Sequence, residues 1–101
     1  VANVSHLPPL LASALATHLS SDFPDAAKFC GNGLKDTTRI ASGDPGMWLE
    51  IIAQNRAEIL RSIDGFEKEL KELRSVIANQ NDFETLVKLA NGKAFRDSLD
   101  D

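Results

Sequence analysis

Arg39 stands in a run of small and polar residues, Asp36-Thr37-Thr38-Arg39-Ile40-Ala41-Ser42. It is the side chain in this sequence best suited to hold an anion. A guanidinium is a planar fork of donors that matches a carboxylate or a phosphate with two parallel hydrogen bonds. Thr37, Thr38 and Ser42 can add hydroxyl donors, and Asp36 can orient the guanidinium. Each residue also has a purely structural use. Arg39 can fix the backbone through a salt bridge to Asp36 or Asp44, and the hydroxyls can bond the neighbouring backbone. Trp48 can wall a ring-shaped ligand or join the core. His6, just before Leu7-Pro8-Pro9, can donate to a ligand or stay a solvated or capping histidine. His18 falls on an apolar stripe, which points to core or interface.

Other chemistry is excluded more easily. Cys30 is the single cysteine, so no intrachain disulfide forms, and a reducing compartment fits. Lys28 is the base nearest to it, which does not activate a thiolate. Cys30, His6 and His18 do not make a structural zinc site, and no metal is expected. The sequence holds no serine–histidine–aspartate order and no P-loop, and no residue in it is identified as catalytic. The formal charge is −4 with no basic run, which argues against nucleic acid or an anionic membrane as partner. No apolar run approaches a membrane span, and the opening residues lack the basic start of a signal peptide. Val1 opens the chain and Met47 is the only methionine, so a piece of a longer, cytoplasmic protein is expected.

The elements that position these residues read as helices throughout. Leu7, Leu10, Leu11, Ala14, Leu15, His18 and Leu19 recur at steps of three and four, one stripe of a helix over residues 3–20. Pro8 and Pro9 either sit in its first turn, starting it near Leu7, or kink a longer helix. Ser20, Ser21, Asp22 and Pro24 end it, and Asp25 can cap a short helix, Ala26 to Phe29. The stretch from Gly31 to Trp48 holds four of the six glycines. It reads as an irregular loop, with Leu34 to Ser42 partly helical and the glycines free to take positive φ. Asp44 as N-cap and Pro45 at the first position then start a helix that continues or re-forms after Asn55.

From Ile59 the spacing is that of a heptad seam: Ile59, Ile63, Phe66, Leu70, Leu73, Ile77. A straight helix from Pro45 to Asn79 would be roughly 50 Å long. A domain of this size cannot cover such a helix alone, so a partner subunit is expected. Glu67 and Lys71 form a favourable i,i+4 pair, and the charges from Glu67 to Arg74 read as a solvated face. Asn79-Gln80-Asn81 is a turn. Asn81 with Glu84 makes a capping box for a helix that puts Phe83, Leu86, Val87 and Ala90 on one face. Gly92 weakens that helix, and Asp97 to Asp101 reads as a frayed tail. The fold class is all-α, a helical bundle with one long heptad-patterned helix.

Along nearly the whole chain the residues also resemble a known family. Ser5-His6-Leu7-Pro8, Gly33-Leu34-Lys35-Asp36-Thr37-Thr38-Arg39-Ile40-Ala41, Asp44-Pro45, Met47-Trp48, Ile51 and Asn55 are similar to the C-terminal helical domain of prephenate dehydrogenases. The resemblance implies an intertwined homodimer whose residues 1–101 form the dimerization and substrate-cleft domain, with an N-terminal Rossmann domain outside this chain. It implies NAD- or NADP-dependent oxidative decarboxylation of prephenate to 4-hydroxyphenylpyruvate, or of arogenate to tyrosine, in tyrosine biosynthesis. The catalytic histidine and the nucleotide site would lie in the Rossmann domain, so these residues alone are expected to bind no cofactor and to be inactive.

Carried over by position, Arg39 matches the arginine that binds the substrate carboxylate. Asp36 matches an acidic residue near the cleft, Trp48 an aromatic bordering it, and His6 the first histidine of a Ser-His-Leu-Pro-His run. The second histidine of that run is replaced here by Pro9, which opens arogenate as a substrate. Asn32 stands where glycine is frequent. A purely structural dimer module, or a regulatory module that binds tyrosine in feedback, are the competing expectations.

Overall fold

The computed structural model describes residues 2–22, 25 and 31–100. The short helix expected at Ala26 to Phe29, and Cys30, lie outside these residues. All regular structure among the described residues is helical, in the order π-turn (Ala2–His6), α1 (Leu7–Asp22), α2 (Asn32–Thr38), a 3₁₀ turn (Arg39–Ser42), α3 (Pro45–Ala78) and α4 (Asp82–Ser98). The chain divides into two compact units, Val1–Ile63 and Asp64–Asp101, and α3 contributes to both.

In the first unit, α1 starts at Leu7 with both prolines in its first turn, where a missing N–H costs nothing. The helical path already begins in the π-turn ahead of it, so the two expectations for this segment are both partly met. α1 packs against the π-turn, the 3₁₀ turn and α2. Its inward face keeps the leucines of the expected stripe, Leu7, Leu10, Leu11, Leu15 and Leu19, all half-buried. Ala12 is buried and Leu15, Ala16 and Leu19 are half-buried, while Ala14 and His18 are exposed. His18 is therefore not a core residue here; its Nδ1 lies 3.2 Å from Asp22 Oδ2, one turn on.

The stretch from Gly31 to Trp48 departs most from expectation. It is helical almost throughout, with only Gly31, Gly43 and Asp44 outside a helix or turn. No glycine among the described residues has positive φ. The local reason is visible in the threonines. Thr37 Oγ1 donates to Gly33 O and Thr38 Oγ1 to Leu34 O, both at 2.8 Å, back-bonds that the helical conformation allows. Asp44 caps α3 as expected: Gly46 N–H donates to its Oδ1 at 3.2 Å, and Trp48 N–H to its carbonyl at 3.1 Å.

α3 is broken at Asn55, whose backbone is non-helical (φ −132°, ψ 24°). Asn55 Nδ2 donates to Ile51 O at 2.8 Å. A regular helix fills that acceptor with the backbone N–H of residue 55, so the side chain serves the carbonyl where the backbone turns away. Past the break, Ile59 and Ser62 are buried and Ile63 is half-buried.

The second unit is the end of α3, a turn and α4. The turn is a Schellman motif: Asn81 N–H donates to Val76 O (2.9 Å) and Gln80 N–H to Ile77 O (3.1 Å), with Gln80 at φ 55°. Asn81 Oδ1 accepts from Glu84 N–H at 3.1 Å, the expected cap. α4 runs through Gly92 to Ser98, further than expected, and i,i+4 pairs Lys93–Asp97 and Arg96–Asp100 brace its last turn. The charged face of α3 is not merely solvated. Lys88 of α4 reaches Glu69 (3.0 Å) and Glu72 (3.2 Å), while Glu67 and Lys71 form no ion pair.

Not one described residue of this second unit is buried. Phe66, Leu70, Ile77, Phe83, Leu86, Leu89, Phe95 and Leu99 are all exposed.

Candidate functional site

The π-turn, the 3₁₀ turn and the start of α3 meet around Trp48 in the first unit. α3 presents its indole from the first turn, a position set by the Asp44 cap. The π-turn ends at His6, whose ring meets the indole edge to face, with centroids 6.2 Å apart and planes at 85°. That is a favourable aromatic geometry. Residues of the 3₁₀ turn, Ile40 and Ala41, complete a hollow of about 100 Å³ with Pro9, Leu10, Ser13, Gly43, Pro45 and Trp48. Its walls are mostly apolar, and Ser13 supplies the side-chain hydroxyl.

His6 is half-buried, and its Nδ1 is fully buried without a hydrogen-bond partner. A buried imidazole nitrogen that bonds nothing costs about 1–3 kcal/mol, so such an atom in a native protein needs a reason.

Arg39 opens the 3₁₀ turn, immediately before the two residues that line the hollow. It is exposed, and among the described residues it makes no ion pair. The salt bridge to Asp36 or Asp44 that would have fixed the backbone is not formed. Asp36 lies three residues earlier on α2, also exposed and without a salt bridge. The threonine hydroxyls are engaged with their own helix, which is the structural use open to them from sequence.

The structure thus brings His6 and Trp48 into contact and puts Arg39 in the turn whose next two residues, Ile40 and Ala41, line the hollow with Trp48. It gives Asp36 no contact with the other three. Sequence reasoning did not name Leu10, Ser13, Ile40, Ala41 or Gly43 as site residues. For Leu10 and Ser13 the usable signal was their place one helical turn after His6 and Pro9. For Gly43 there was none, because its neighbour is a side chain five residues on.

Among the described residues no three His, Cys, Asp or Glu side chains gather to hold a metal, and no helix is long and apolar enough to cross a membrane. They include no strand, and therefore no strand–turn–helix cradle for a dinucleotide.

Such an arrangement defines an all-helical domain with an aromatic corner beside an uncompensated arginine. A family profile described as "Prephenate dehydrogenase, dimerization domain" matches residues 1–91, and the chain belongs to that family. Prephenate dehydrogenase of Bacillus subtilis is 35% identical over 100 residues, covering 95% of this chain and 27% of the relative. Cyclohexadienyl dehydrogenase of Zymomonas mobilis is 31% identical over 85 residues, 80% of this chain and 29% of the relative. The chain spans less than a third of the length of these relatives.

Among solved structures, prephenate dehydrogenase from A. aeolicus in complex with hydroxyphenyl propionate and NAD+ is 38% identical with a TM-score of 0.90, over 97% of this chain and 35% of that one. Synechocystis arogenate dehydrogenase is 26% identical with the same TM-score of 0.90, over 98% of this chain and 37% of that one.

Proposed function

We propose that residues 1–101 are the dimerization and substrate-cleft domain of an NAD(P)-dependent prephenate dehydrogenase acting in tyrosine biosynthesis. The observation that carries this reading is Arg39: an exposed residue without a salt-bridge partner among the described residues, immediately before Ile40 and Ala41 of the hollow that Trp48 lines, with the His6 ring against the Trp48 indole. An aryl carboxylate needs those two things together, an aromatic wall and a fork of donors for the carboxylate. The ligand of the A. aeolicus enzyme, hydroxyphenyl propionate, has that chemistry, and prephenate offers carboxylates on a flat cyclohexadiene ring that becomes aromatic in the reaction. Arg39 binds the carboxylate, Trp48 borders the ring, and His6 borders the cleft from behind the indole that it packs against. Asp36, three residues before Arg39, is the acidic residue near the cleft.

The nucleotide accepts the hydride when bound. Its site is not built from the described residues, so this domain contributes binding and orientation rather than the redox step. Residues 1–101 alone are inactive on this reading. The second unit, with its large apolar side chains exposed and none of its described residues buried, is covered by a second copy in a homodimer.

Arogenate is the second reading for the substrate. Pro9 lines the hollow where the family resemblance places a second histidine, which leaves that wall apolar. Tyrosine, an aryl carboxylate as well, fits the same corner and would compete there.

The test is titration of hydroxyphenyl propionate into the full-length protein that carries this chain, with and without Arg39→Ala. Tight binding that Arg39→Ala weakens at least tenfold supports the reading, and equal binding by both proteins refutes it.

A further inference from the structure

Gly43 occupies a backbone conformation that needs no glycine. Its φ is −66° and ψ 162°, extended backbone open to any residue except for what surrounds it. What surrounds it is Trp48. A Cβ built on Gly43 would stand 2.9 Å from indole Nε1, closer than real Cβ contacts come, and 3.2 Å from Cδ1, tighter than most. The indole therefore rests against the bare backbone of residue 43 on one side while meeting the His6 ring edge on. Both Gly43 and Trp48 line the same hollow, so the room left by the missing side chain decides where that wall stands.

We infer that Gly43 is a positioning residue: the absence of a side chain there seats the Trp48 indole and so sets the width of the aryl hollow. This rests on the reading that Trp48 borders a bound ring. A methyl at residue 43 forces the indole to shift, because the backbone of the Ser42–Pro45 connection is held between the 3₁₀ turn and the Asp44 cap. The side chain is the softer of the two. Arg39, in the preceding turn, keeps its backbone, so the carboxylate contact survives while the ring loses its fit.

The experiment compares Gly43→Ala, Trp48→Phe and the double variant in the full-length protein. Near-ultraviolet circular dichroism, taken as the difference between each protein and its Trp48→Phe counterpart, isolates the Trp48 signal. Titration with hydroxyphenyl propionate gives affinity. Gly43→Ala is expected to change the Trp48 signal and to weaken binding by about tenfold. In the Trp48→Phe background, where the atom that the new methyl meets is gone, the same substitution should change affinity by less than about twofold. The double variant also reports folding, since only the clash distinguishes it from Gly43→Ala.

An unaltered Trp48 signal in Gly43→Ala overturns the inference, and so does an equal affinity loss in both backgrounds. If Trp48→Phe and Arg39→Ala both bind like the unmodified protein, the reading of the site fails instead, and the dichroism alone then decides whether Gly43 seats the indole.

Discussion

Replacing Arg39 with alanine separates a binding role from a structural one, because the two predict opposite pairs of numbers. Arg39 is exposed and has no ion pair among the described residues. Its backbone, φ −52° and ψ −43°, is ordinary helical geometry that alanine adopts readily. Arg39→Ala should therefore change stability by no more than about 0.5 kcal/mol. Loss of a charge-assisted pair to a substrate carboxylate is worth about 1.5–3 kcal/mol, which is roughly 12- to 160-fold in affinity.

The assay is initial-rate kinetics of the full-length protein with prephenate at saturating nucleotide, beside a thermal melt. KM should rise by that factor with the melting temperature almost unmoved. Arg39→Lys keeps the charge but loses the planar fork, and its KM should fall between the two. A KM that stays within about twofold, together with a melting temperature several degrees lower, would return Arg39 to a structural role and remove the basis for the site.

Three further outcomes test the second unit. Leu70→Glu puts a carboxylate into the exposed apolar face of α3, and burying it unpaired in a dimer costs at least ~3 kcal/mol. Sedimentation should then show a dissociation constant raised more than about a hundredfold; a protein that stays dimeric at micromolar concentration would refute the dimer face. Lys88 hydrogen-bonds and attracts Glu72, holding that carboxyl below its ordinary 4.5, and Glu69 and Glu72 hold Lys88 above its ordinary 10.5. A depressed carboxyl stabilises the folded state above 4.5 and loses that contribution as pH falls through its lowered folded value. Lys88→Met should therefore flatten the acid limb of a stability-against-pH curve, whereas an unchanged limb would mean the pair contributes nothing. Gln80 sits at φ 55°, where a side chain costs about 1 kcal/mol, so Gln80→Gly should raise the melting temperature, and a lower one would refute the strain.

Much of the fold was legible because its signals are local. Asp44-Pro45 marked the start of α3, Asn81 and Glu84 the start of α4, and the steps of three and four from Ile59 the seam, since capping and periodicity depend on residues within one or two turns. Asn55 was legible as a place of re-formation for the same reason. The Gly31–Trp48 stretch was misread because glycine composition suggests loop. In the structure it packs against α1, its Thr37 and Thr38 hydroxyls are accommodated by back-bonds within the helix, and no positive φ is used.

The leucines of the α1 stripe were legible, but the burial of Ala12 and the exposure of Ala14 and His18 were not. The 3₁₀ turn and α2 pack on α1, and nothing within the α1 sequence records where they land. At the candidate site, Arg39, Trp48 and His6 could be named by residue type, but that His6 and Trp48 touch joins residues 42 positions apart in the numbering of the chain. The Lys88 clamp on Glu69 and Glu72 likewise crosses from one helix to the next, so an i,i+4 rule pointed to Lys71 instead.

The burial pattern explains why the two units differ in kind. The first keeps Ala2, Ala12, Ile59 and Ser62 out of water and holds the aromatic corner on that frame. The second buries none of its described residues, and eight large apolar side chains there are exposed. Covering the accessible part of each is worth about 1 kcal/mol, so about 8 kcal/mol per copy is open to a partner. That sum is comparable with the whole stability of a small domain, so the helices of the second unit gain their hold from whatever covers them. A second copy presents the same apolar stripe in the same heptad spacing, and a two-fold pairing buries both stripes at once. Seam substitutions should then be felt as lost assembly, while substitutions at Arg39, which is exposed and makes no ion pair among the described residues, should be felt as lost affinity.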